Sequence, residues 1–393
     1  MSLLLFWSIL NWIFISTLIT ISLLFLAQTL VCRKISLKSR MRFVRIRDTT
    51  KMKDMEISSQ RKEIVPRFDV SGMGNPLVDI LVYVDDNFLI SNHLNKGIMH
   101  LIEEDGKRKL IKLIKGKKIE MEAGGSCPNT IASLGILGLR AALTGKIGDD
   151  DFGSVFEEKI INKNVTSFLK KEYGPTGTSI ILITPDKERT MNTHLGLCRE
   201  YKKEDLPYEM IENSTFFYFT GYMWDTENQK VAVKDALLKA KNSGVKVIFD
   251  VADPFAVNRY RKDFLEIIKN DVDIVLSNAQ ESEILTGTKI EDGIRKLGEL
   301  ARIAVVKNGA ADTLIYSNGK LTAVPSFKTD VKDTTGAGDN FSAGFIYGLI
   351  KGYPLELCGR IAGFIASKTI AEVGAQAPEN IKYLVKRMFE KQM

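Results

Sequence analysis

The sequence predicts an α/β protein whose central sheet is largely parallel and is covered by helices on both faces. Short apolar runs rich in β-branched residues recur from residue 68 onward and alternate with amphipathic helical stretches. Runs that are apolar almost throughout are typical of strands buried on both faces, as in a parallel sheet. The chain has 393 residues, 45% of them hydrophobic, which is enough for one large domain or two ordinary ones.

Each element is assigned from its local pattern. Amphipathic stretches at 229–242 and 262–270 separate successive apolar runs, as expected for strand–helix–strand units. The stretches 82–123 and 173–200 contain more polar residues and break the alternation. Pattern alone leaves open whether they are surface connections or form a small flap over the edge of the sheet. The predicted strands are 68–71, 179–184, 216–220, 245–250, 274–278, 303–307 and 313–316.

The N-terminal part of the chain has a different composition. Residues 3–32 carry no charge and are numerous enough to span a bilayer as a helix. A later start codon would instead make this run an artefact, and both interpretations stay open. If the run is an anchor, the basic cluster that follows places the folded domain in the cytoplasm. The predicted segments are an apolar anchor or mis-assigned start at 1–32, a basic flexible linker at 33–66 and a folded domain at 67–393.

The net charge of +7 is confined to the linker. Of the 55 Lys/Arg and 48 Asp/Glu residues, the stretch 33–54 holds nine and two, so the remainder has 46 of each sign. A neutral folded domain argues against a nucleic-acid partner. The four cysteines form no CxxC pair and there are only three histidines, which argues against a zinc site and favours a reducing compartment.

The most informative motif is the glycine-rich segment DTTGAGD at 333–339. Phe341, Phe345 and Leu349 recur at helical spacing after it, so the segment is the loop that opens a helix. Free amides and the positive end of the helix dipole at such a loop bind phosphate, and Asp339 would accept a proton from a hydroxyl held beside it. A capped helix after a glycine turn is the plain alternative. An anion-binding loop next to a carboxylate base is what phosphoryl transfer to an alcohol needs.

Several predicted strands also end in a polar or small residue. These are Asp250, Asn278, Lys307 and the pair at 220–221. Ligands of open α/β sheets bind outside the carboxyl ends of the strands. Carboxylate, amide, ammonium and hydroxyl groups along that edge suit a phosphate-rich ligand and a metal ion. A P-loop is absent, and Leu77 stands where a dinucleotide fingerprint beginning at Gly72 needs a small residue, so neither of those sites is predicted.

DTTGAGD before a helix resembles the C-terminal signature of the ribokinase-like, phosphofructokinase-B-type family of carbohydrate kinases. The likeness covers roughly residues 68–380 and is strongest to the bacterial adenosine kinase branch. It implies a three-layer α/β/α ribokinase-like fold with a mainly parallel central sheet and a small β lid formed by 82–123 and 173–200. Further segments that agree in order and spacing are GMGNPLVD (72–79), GGSCPNT (124–130), ERTMNTHLG (188–196), ADPFAVNRYRKDF (252–264), NAQE (278–281) and VGAQA (373–377).

The resemblance implies roles for individual residues. Asp339 matches the catalytic base, and Arg189 matches a lid arginine that reaches the phosphates. The anion hole matches Gly336, Ala337 and Gly338. The substrate-binding positions are Asp79, Gly125, Asn129 and Asn75. The nucleotide-binding positions are Asn278, Lys307, Gly309, Gly374 and Ala375. Asn278 and Glu281 match the pair that organises Mg²⁺ through water, and Asp333 matches a monovalent-cation ligand of some members.

The resemblance therefore implies an ATP-dependent kinase for a sugar or nucleoside hydroxyl, with adenosine as the favoured acceptor, AMP as its product, Mg²⁺ as cofactor and K⁺ in some members. Two alternatives stay open. One is a kinase for another sugar or nucleoside, such as ribose, fructose or inosine. The other is a membrane-tethered binding protein that keeps the fold without catalysis. The oligomeric state is left open between monomer and homodimer.

Overall fold

The computed structural model describes residues 66–392. The predicted apolar segment 1–32 and residues 33–65 of the predicted linker lie outside this range. Within residues 66–392, the helices are too short or too polar to cross a bilayer.

The described residues form sixteen strands and twelve α-helices. The strands are β1 (Phe68–Met73), β2 (Leu77–Tyr83), β3 (Met99–Leu101), β4 (Ile119–Gly124), β5 (Ala141–Thr144), β6 (Lys146–Gly148), β7 (Val165–Ser167), β8 (Lys170–Glu172), β9 (Gly177–Ile183), β10 (Arg189–His194), β11 (Ser214–Thr220), β12 (Lys246–Asp250), β13 (Ile274–Asn278), β14 (Ile303–Lys307), β15 (Thr313–Ser317) and β16 (Lys320–Val324). The helices are α1 (Asp86–Ser91), α2 (Glu104–Leu113), α3 (Ser126–Ile136), α4 (Asp151–Asn162), α5 (Tyr208–Glu212), α6 (Glu227–Ser243), α7 (Pro254–Asp271), α8 (Ala279–Thr286), α9 (Ile290–Leu300), α10 (Ala337–Ile350), α11 (Leu355–Thr369) and α12 (Ile381–Phe389).

The large sheet contains nine strands in the order β16-β15-β14-β13-β12-β11-β1-β5-β7. Its β14–β15 and β15–β16 pairs are antiparallel and the others are parallel. Alternate side chains of β11 enter different cores: Tyr218 packs with α3, α10 and α11, whereas Phe217 and Phe219 pack with α6 and α7. The three-layer α/β/α prediction is confirmed.

The ends of the covering helices follow from local chemistry. Thr226 caps α6 through a reciprocal bond with Gln229, and Gly244 ends the helix in the left-handed region at φ 72°. Asp253 accepts hydrogen bonds from the first amides of α7, directly before Pro254, which tolerates a first helical position. These short, defined ends fix where each neighbouring strand enters the sheet.

A second sheet of five strands has the order β3-β10-β9-β2-β4. One of its faces packs against α2, where Ile80 and Val82 join Leu110 in the core. The predicted run 179–184 lies in this small sheet and not in the central one, because a strand covered on both faces is apolar in either place. Along the chain, β2 is the first strand of this sheet. Asp79 therefore belongs to the small sheet, although the predicted lid starts at residue 82. That it moves as a lid stays a prediction.

Candidate active site

Parallel register brings the polar strand ends to one edge of the large sheet. Thr220 is opposite Asp250 in the β11–β12 pair, and Asn278 is opposite Lys307 in the β13–β14 pair. The four strands are consecutive in the sheet, so their carboxyl ends meet at the same edge. This is the edge at which open α/β sheets bind ligands.

The glycine-rich loop ends where α10 begins. Gly336 occupies the N-cap position at φ 71°, and a Cβ there would overlap the carbonyl of Ala375, so only glycine fits. No side chain caps the helix. The first amides of a helix have no intrahelical acceptor. The Ala337 amide donates to the carbonyl of Thr334 at 3.2 Å, and within residues 66–392 the amides of Gly338 and Asp339 remain available to an anion.

Asp339 is the third residue of α10, and its carboxylate does not cap the helix. Oδ1 accepts a 2.6 Å hydrogen bond from Ser126 Oγ, and Oδ2 accepts a 3.0 Å bond from Asn129 Nδ2. Burial raises the pKa of Asp339 to about 6, and the charge of Asp250 adds to this effect. The two hydrogen bonds and the charge of Lys307 oppose it. Asp339 as a whole residue is partly exposed, and a carboxylate whose pKa is near 6 is suited to accept a proton near neutral pH.

The predicted substrate-binding residues Gly125 and Asn129 lie at the start of α3, and Asn75 lies in the loop after β1. Asn129 is buried and holds Asp339, while its Oδ1 has no partner within residues 66–392. Gly125 is the N-cap of α3 at φ 99°, where a Cβ would overlap the carbonyl of Asn75. Asn75 itself bonds to Gln229 at 2.8 Å and to the carbonyl of Tyr222 at 3.2 Å. Gly125 therefore places the start of α3 against the loop after β1, Asn129 joins α3 to α10, and Asn75 joins the loop to α6.

Asp79 lies on β2 with 9% of its surface exposed. Burial raises the pKa of Asp79 to about 7, and the charges of Asp339 and Glu122 add to it against the charge of Arg189. A Cβ on Gly124 would overlap the Asp79 carboxylate, so this glycine provides the space for it. Among the described residues the carboxylate has neither a hydrogen bond nor an ion pair, and its two oxygens remain available to a ligand.

Arg189 connects the small sheet to the glycine-rich loop. Its guanidinium forms an ion pair with Asp333, and its Nη1 donates to Thr335 Oγ1 at 3.1 Å. Asp333 also accepts from the amides of Thr335 at 3.0 Å and Gly374 at 2.8 Å. Both oxygens of Asp333 are therefore engaged by the protein, and its predicted role as a monovalent-cation ligand stays a prediction.

Asn278 and Glu281 form a reciprocal cap at the start of α8. Asn278 Oδ1 accepts from the Glu281 amide at 2.8 Å, and the Glu281 carboxylate accepts from Asn278 N at 2.7 Å and Nδ2 at 2.6 Å. Within residues 66–392 no cluster of three acidic, histidine or cysteine side chains could hold a metal directly. The side-chain oxygens of Asn278 and Glu281 already accept hydrogen bonds from the protein, so contact with an ion through water suits them. Mg²⁺ is an ion that keeps several of its waters.

Besides Asn278, the predicted nucleotide residues lie at the end of β14 and in the loops that follow β14 and α11. Lys307 ends β14 and forms a 2.9 Å ion pair with Asp250. Gly309 takes φ 57° and Gly374 takes φ 130°, with open space where a Cβ would stand. Ala375 contributes its carbonyl to the packing of Gly336 and α10. Lys307 and Ala375 thus lie beside the loop at 336–338, next to Gly338 and Gly336 respectively.

Sequence reasoning missed Ser126 and Asn340. Asn340 is fully buried and donates from Nδ2 to the carbonyls of Gly336 and Ala375, both at 2.8 Å. Its Oδ1 accepts from Ser133 Oγ at 2.6 Å, which joins α10 to α3. An asparagine inside an otherwise apolar helix was the available signal, because a buried amide needs hydrogen-bond partners.

The comparison with known proteins agrees with this geometry. A model of the pfkB family carbohydrate kinases matches residues 96–382. The chain belongs to this family. It is therefore a phosphotransferase that acts on a hydroxyl group, and kinases of the pfkB family use ATP as phosphoryl donor, typically with Mg²⁺.

Individual relatives of the pfkB family match most of the chain. A probable sugar kinase from Rhizobium etli CFN 42 has a TM-score of 0.76 and 33% identity, with 82% of this chain and 99% of that protein covered. The adenosine kinase from Sinorhizobium meliloti has a TM-score of 0.74, 33% identity and the same coverage. The adenosine kinase from Dictyostelium discoideum is 28% identical over 329 residues, 78% of this chain and 95% of that protein. The similarity extends beyond the shared fold to the sequence itself.

Proposed function

We propose that the chain transfers the γ-phosphate of ATP to the 5′-hydroxyl of adenosine, giving AMP and ADP. One observation carries this proposal: Asp339 is held by Ser126 and Asn129 directly beside the uncapped start of α10. A base fixed next to free amides is arranged for an alcohol that attacks a phosphoryl group.

In the proposed reaction, Asp339 takes the proton as the acceptor oxygen forms its bond to the γ-phosphorus and the bond to the ADP oxygen breaks. The amides at 336–338 and the guanidinium of Arg189 stabilise the charge on the transferred group. Asn278 and Glu281 would hold Mg²⁺ through water, and the ion would neutralise charge on the β- and γ-phosphates. Asp79 would accept hydrogen bonds from two sugar hydroxyls through its unpaired carboxylate.

A nucleoside is favoured over a free sugar by the face of the small sheet that carries Asp79. Leu81 follows two residues later on the same face and is paired in register with Ile181, which is opposite Met191. These three side chains belong to one apolar group on the face of the small sheet that carries Asp79. An apolar surface beside a carboxylate suits a base attached to a ribose. The adenosine kinases among the relatives support the same choice.

The second candidate function is phosphorylation of another sugar or nucleoside, which the similarity to the Rhizobium etli protein supports. An acceptor panel separates the two candidates. ADP release is measured with Mg·ATP and adenosine, inosine, ribose or fructose, with Asp339→Asn as the blank. We expect the highest kcat/KM with adenosine. Release with ribose or fructose alone would replace adenosine by a sugar, and release that persists in the Asp339→Asn chain would remove the assigned base.

The localisation and the partners stay predictions. A cytoplasmic kinase domain, an anchor at 1–32, and a monomeric or dimeric state all depend on residues or contacts outside the described chain. Fractionation of cells that express the native protein tests the anchor. Sedimentation of the purified chain tests the oligomeric state.

A further inference from the structure

Lys307 lies behind the glycine-rich loop. Its Nζ is 3.5 Å from the position that a Cβ would take on Gly338. Only 15% of the Lys307 side chain is exposed, so the ammonium is close to the loop and shielded from bulk water. A cation in such a place interacts strongly with charge that develops on the other side of the loop.

Asp250 and Ser342 fix the position of this ammonium. Asp250 Oδ2 accepts from Lys307 Nζ at 2.9 Å and lies 2.7 Å from Ser342 Oγ. The Ser342 hydroxyl is also 3.0 Å from the carbonyl of Gly338. The lysine of β14 is thereby connected, through a carboxylate of β12, to the first turn of α10.

The surrounding charges keep Lys307 protonated. Burial alone would lower its pKa, but Asp250 and Glu281 outweigh that effect, and Asp339 contributes further, so the pKa of Lys307 is raised above its ordinary value. The sequence prediction treats this residue as part of the nucleotide pocket. Within the described chain Lys307 contacts Asp250, which supports the phosphate loop, and its place in the nucleotide pocket stays a prediction.

We propose that the Lys307 ammonium, held by Asp250 and Ser342 behind Gly338, is a positioning residue that stabilises the transferred phosphoryl group through the loop at 336–338. This inference rests on the proposed function, because it requires the phosphoryl group to pass through that loop. The competing explanation is an ion pair that only stabilises the fold. If Lys307 is a positioning residue, its loss lowers turnover more than the loss of Asp250 does. If the ion pair only stabilises the fold, the loss of either partner has the same effect on turnover.

Three variants and a matched control separate these explanations. Lys307→Met removes the cation with little change in length, Asp250→Asn removes the carboxylate but keeps a group that Ser342 can bond, and the double variant is neutral. Lys146→Met is the control, since Lys146 is also a buried lysine, ion-paired with Asp205 at 3.2 Å, outside the site. Melting temperature, kcat and KM for ATP and for the acceptor are measured on each chain.

We expect Lys307→Met to lower kcat by a factor on the order of 10², with both KM values within about threefold of wild type. Asp250→Asn should lose less than about tenfold in kcat, because the ammonium remains. The double variant should recover melting temperature relative to Lys307→Met, since removing both charges of a buried pair is far less damaging than removing one. Its kcat should stay as low as that of Lys307→Met. Lys146→Met should lower the melting temperature with kcat near wild type.

A structural ion pair predicts a different pattern. Equal losses of kcat in the two single variants, or recovery of kcat in the double variant, would overturn the inference. So would a Lys307→Met chain that keeps more than about a third of wild-type kcat. If the double variant does not fold, the relative losses of kcat in the two single variants still decide between the two explanations. A wild-type chain inactive with every acceptor would instead remove the proposed function, which is a separate outcome.

Discussion

Asn129 Nδ2 donates a 3.0 Å hydrogen bond to Asp339 Oδ2, although 210 residues separate the two along the chain. Ser126, on the same helix, donates to the other oxygen at 2.6 Å. The helix α3, which begins directly after Gly125, therefore orients the carboxylate at the start of α10. A base held on both oxygens has one orientation, so the acceptor hydroxyl must approach it from the remaining open side.

Substitution Asp339→Asn should lower kcat by a factor on the order of 10² or more, because the amide cannot accept the proton of the acceptor. ATP binding should remain nearly intact, since the amides at 336–338 are unchanged. Steady-state kinetics and nucleotide titration measure the two effects. The exposed Asp312→Asn variant is the control and should behave like wild type. Undiminished turnover in Asp339→Asn would refute the assigned base.

The pH profile should report the same carboxylate. Asp339 acts as a base only when deprotonated, so with a pKa near 6 the kcat should fall as the pH drops through about 6. Ser126 and Asn129 stabilise the charged form, so Ser126→Ala and Asn129→Ala should each raise the pKa and move the acid limb to higher pH. Rate profiles from pH 5 to pH 8 test this. An acid limb that stays in place in both variants would mean that another group sets it.

Much of this site follows from the sequence, for physical reasons that differ between its parts. The polar ends of β13 and β14 were predictable, because each follows an apolar run whose final residue must lie at the edge of the sheet. The spacing of Asn278 and Glu281 is itself the pattern of a reciprocal helix cap. Such local features depend on neighbours a few residues away.

The long-range features could not be predicted in the same way. Nothing near Asn129 indicates that its amide holds Asp339, since that contact exists only after α3 and α10 pack together. The same applies to Lys307, whose partner Asp250 lies two strands away in the large sheet. Hydrophobic pattern predicts which segments are buried, but not which polar ends will meet.

The substitution Asp79→Asn should stabilise the ligand-free protein while weakening acceptor binding. The pKa of Asp79 is about 7 in the folded protein against 3.8 for the ordinary group. The folded state therefore binds the proton more tightly than the unfolded state, and the free energy of unfolding that this contributes at low pH is lost as the pH rises through 7. Above pH 7 the neutral asparagine should therefore raise stability, by at most about 4 kcal/mol. Urea unfolding at pH 5 and pH 8 measures this, and the gain should be larger at pH 8. A gain of equal size at both pH values would indicate that the Asp79 charge is not its cause.

Replacing the guanidinium of Arg189 by an ammonium should lower turnover more than it lowers stability. Arg189→Lys keeps the charge but loses the planar guanidinium that reaches both Asp333 and Thr335. We expect kcat to fall by about tenfold or more, with a smaller effect on the free energy of unfolding, because lysine keeps a positive charge beside the buried Asp333 carboxylate. Arg140→Lys is the control for the chemical change alone, since Arg140 forms a more exposed ion pair with Asp69 outside the site. Equal kcat in both variants would show that the link between the small sheet and the loop has no part in phosphoryl transfer.

Gly336 is constrained by its left-handed backbone and by a close neighbour, whereas Gly244 shares only the left-handed backbone. Gly244 has almost the same left-handed φ, 72° against 71°, but has open space where a Cβ would stand. Gly244→Ala should therefore cost only the conformational penalty, about 1 kcal/mol of unfolding free energy. Gly336→Ala adds overlap with the Ala375 carbonyl, so it should cost more and displace the loop. Unfolding curves and kcat measure both effects, and we expect kcat to fall only in Gly336→Ala. If the two alanines lowered stability equally and left kcat intact, the packing of Gly336 on Ala375 would have no role in shaping the phosphate loop.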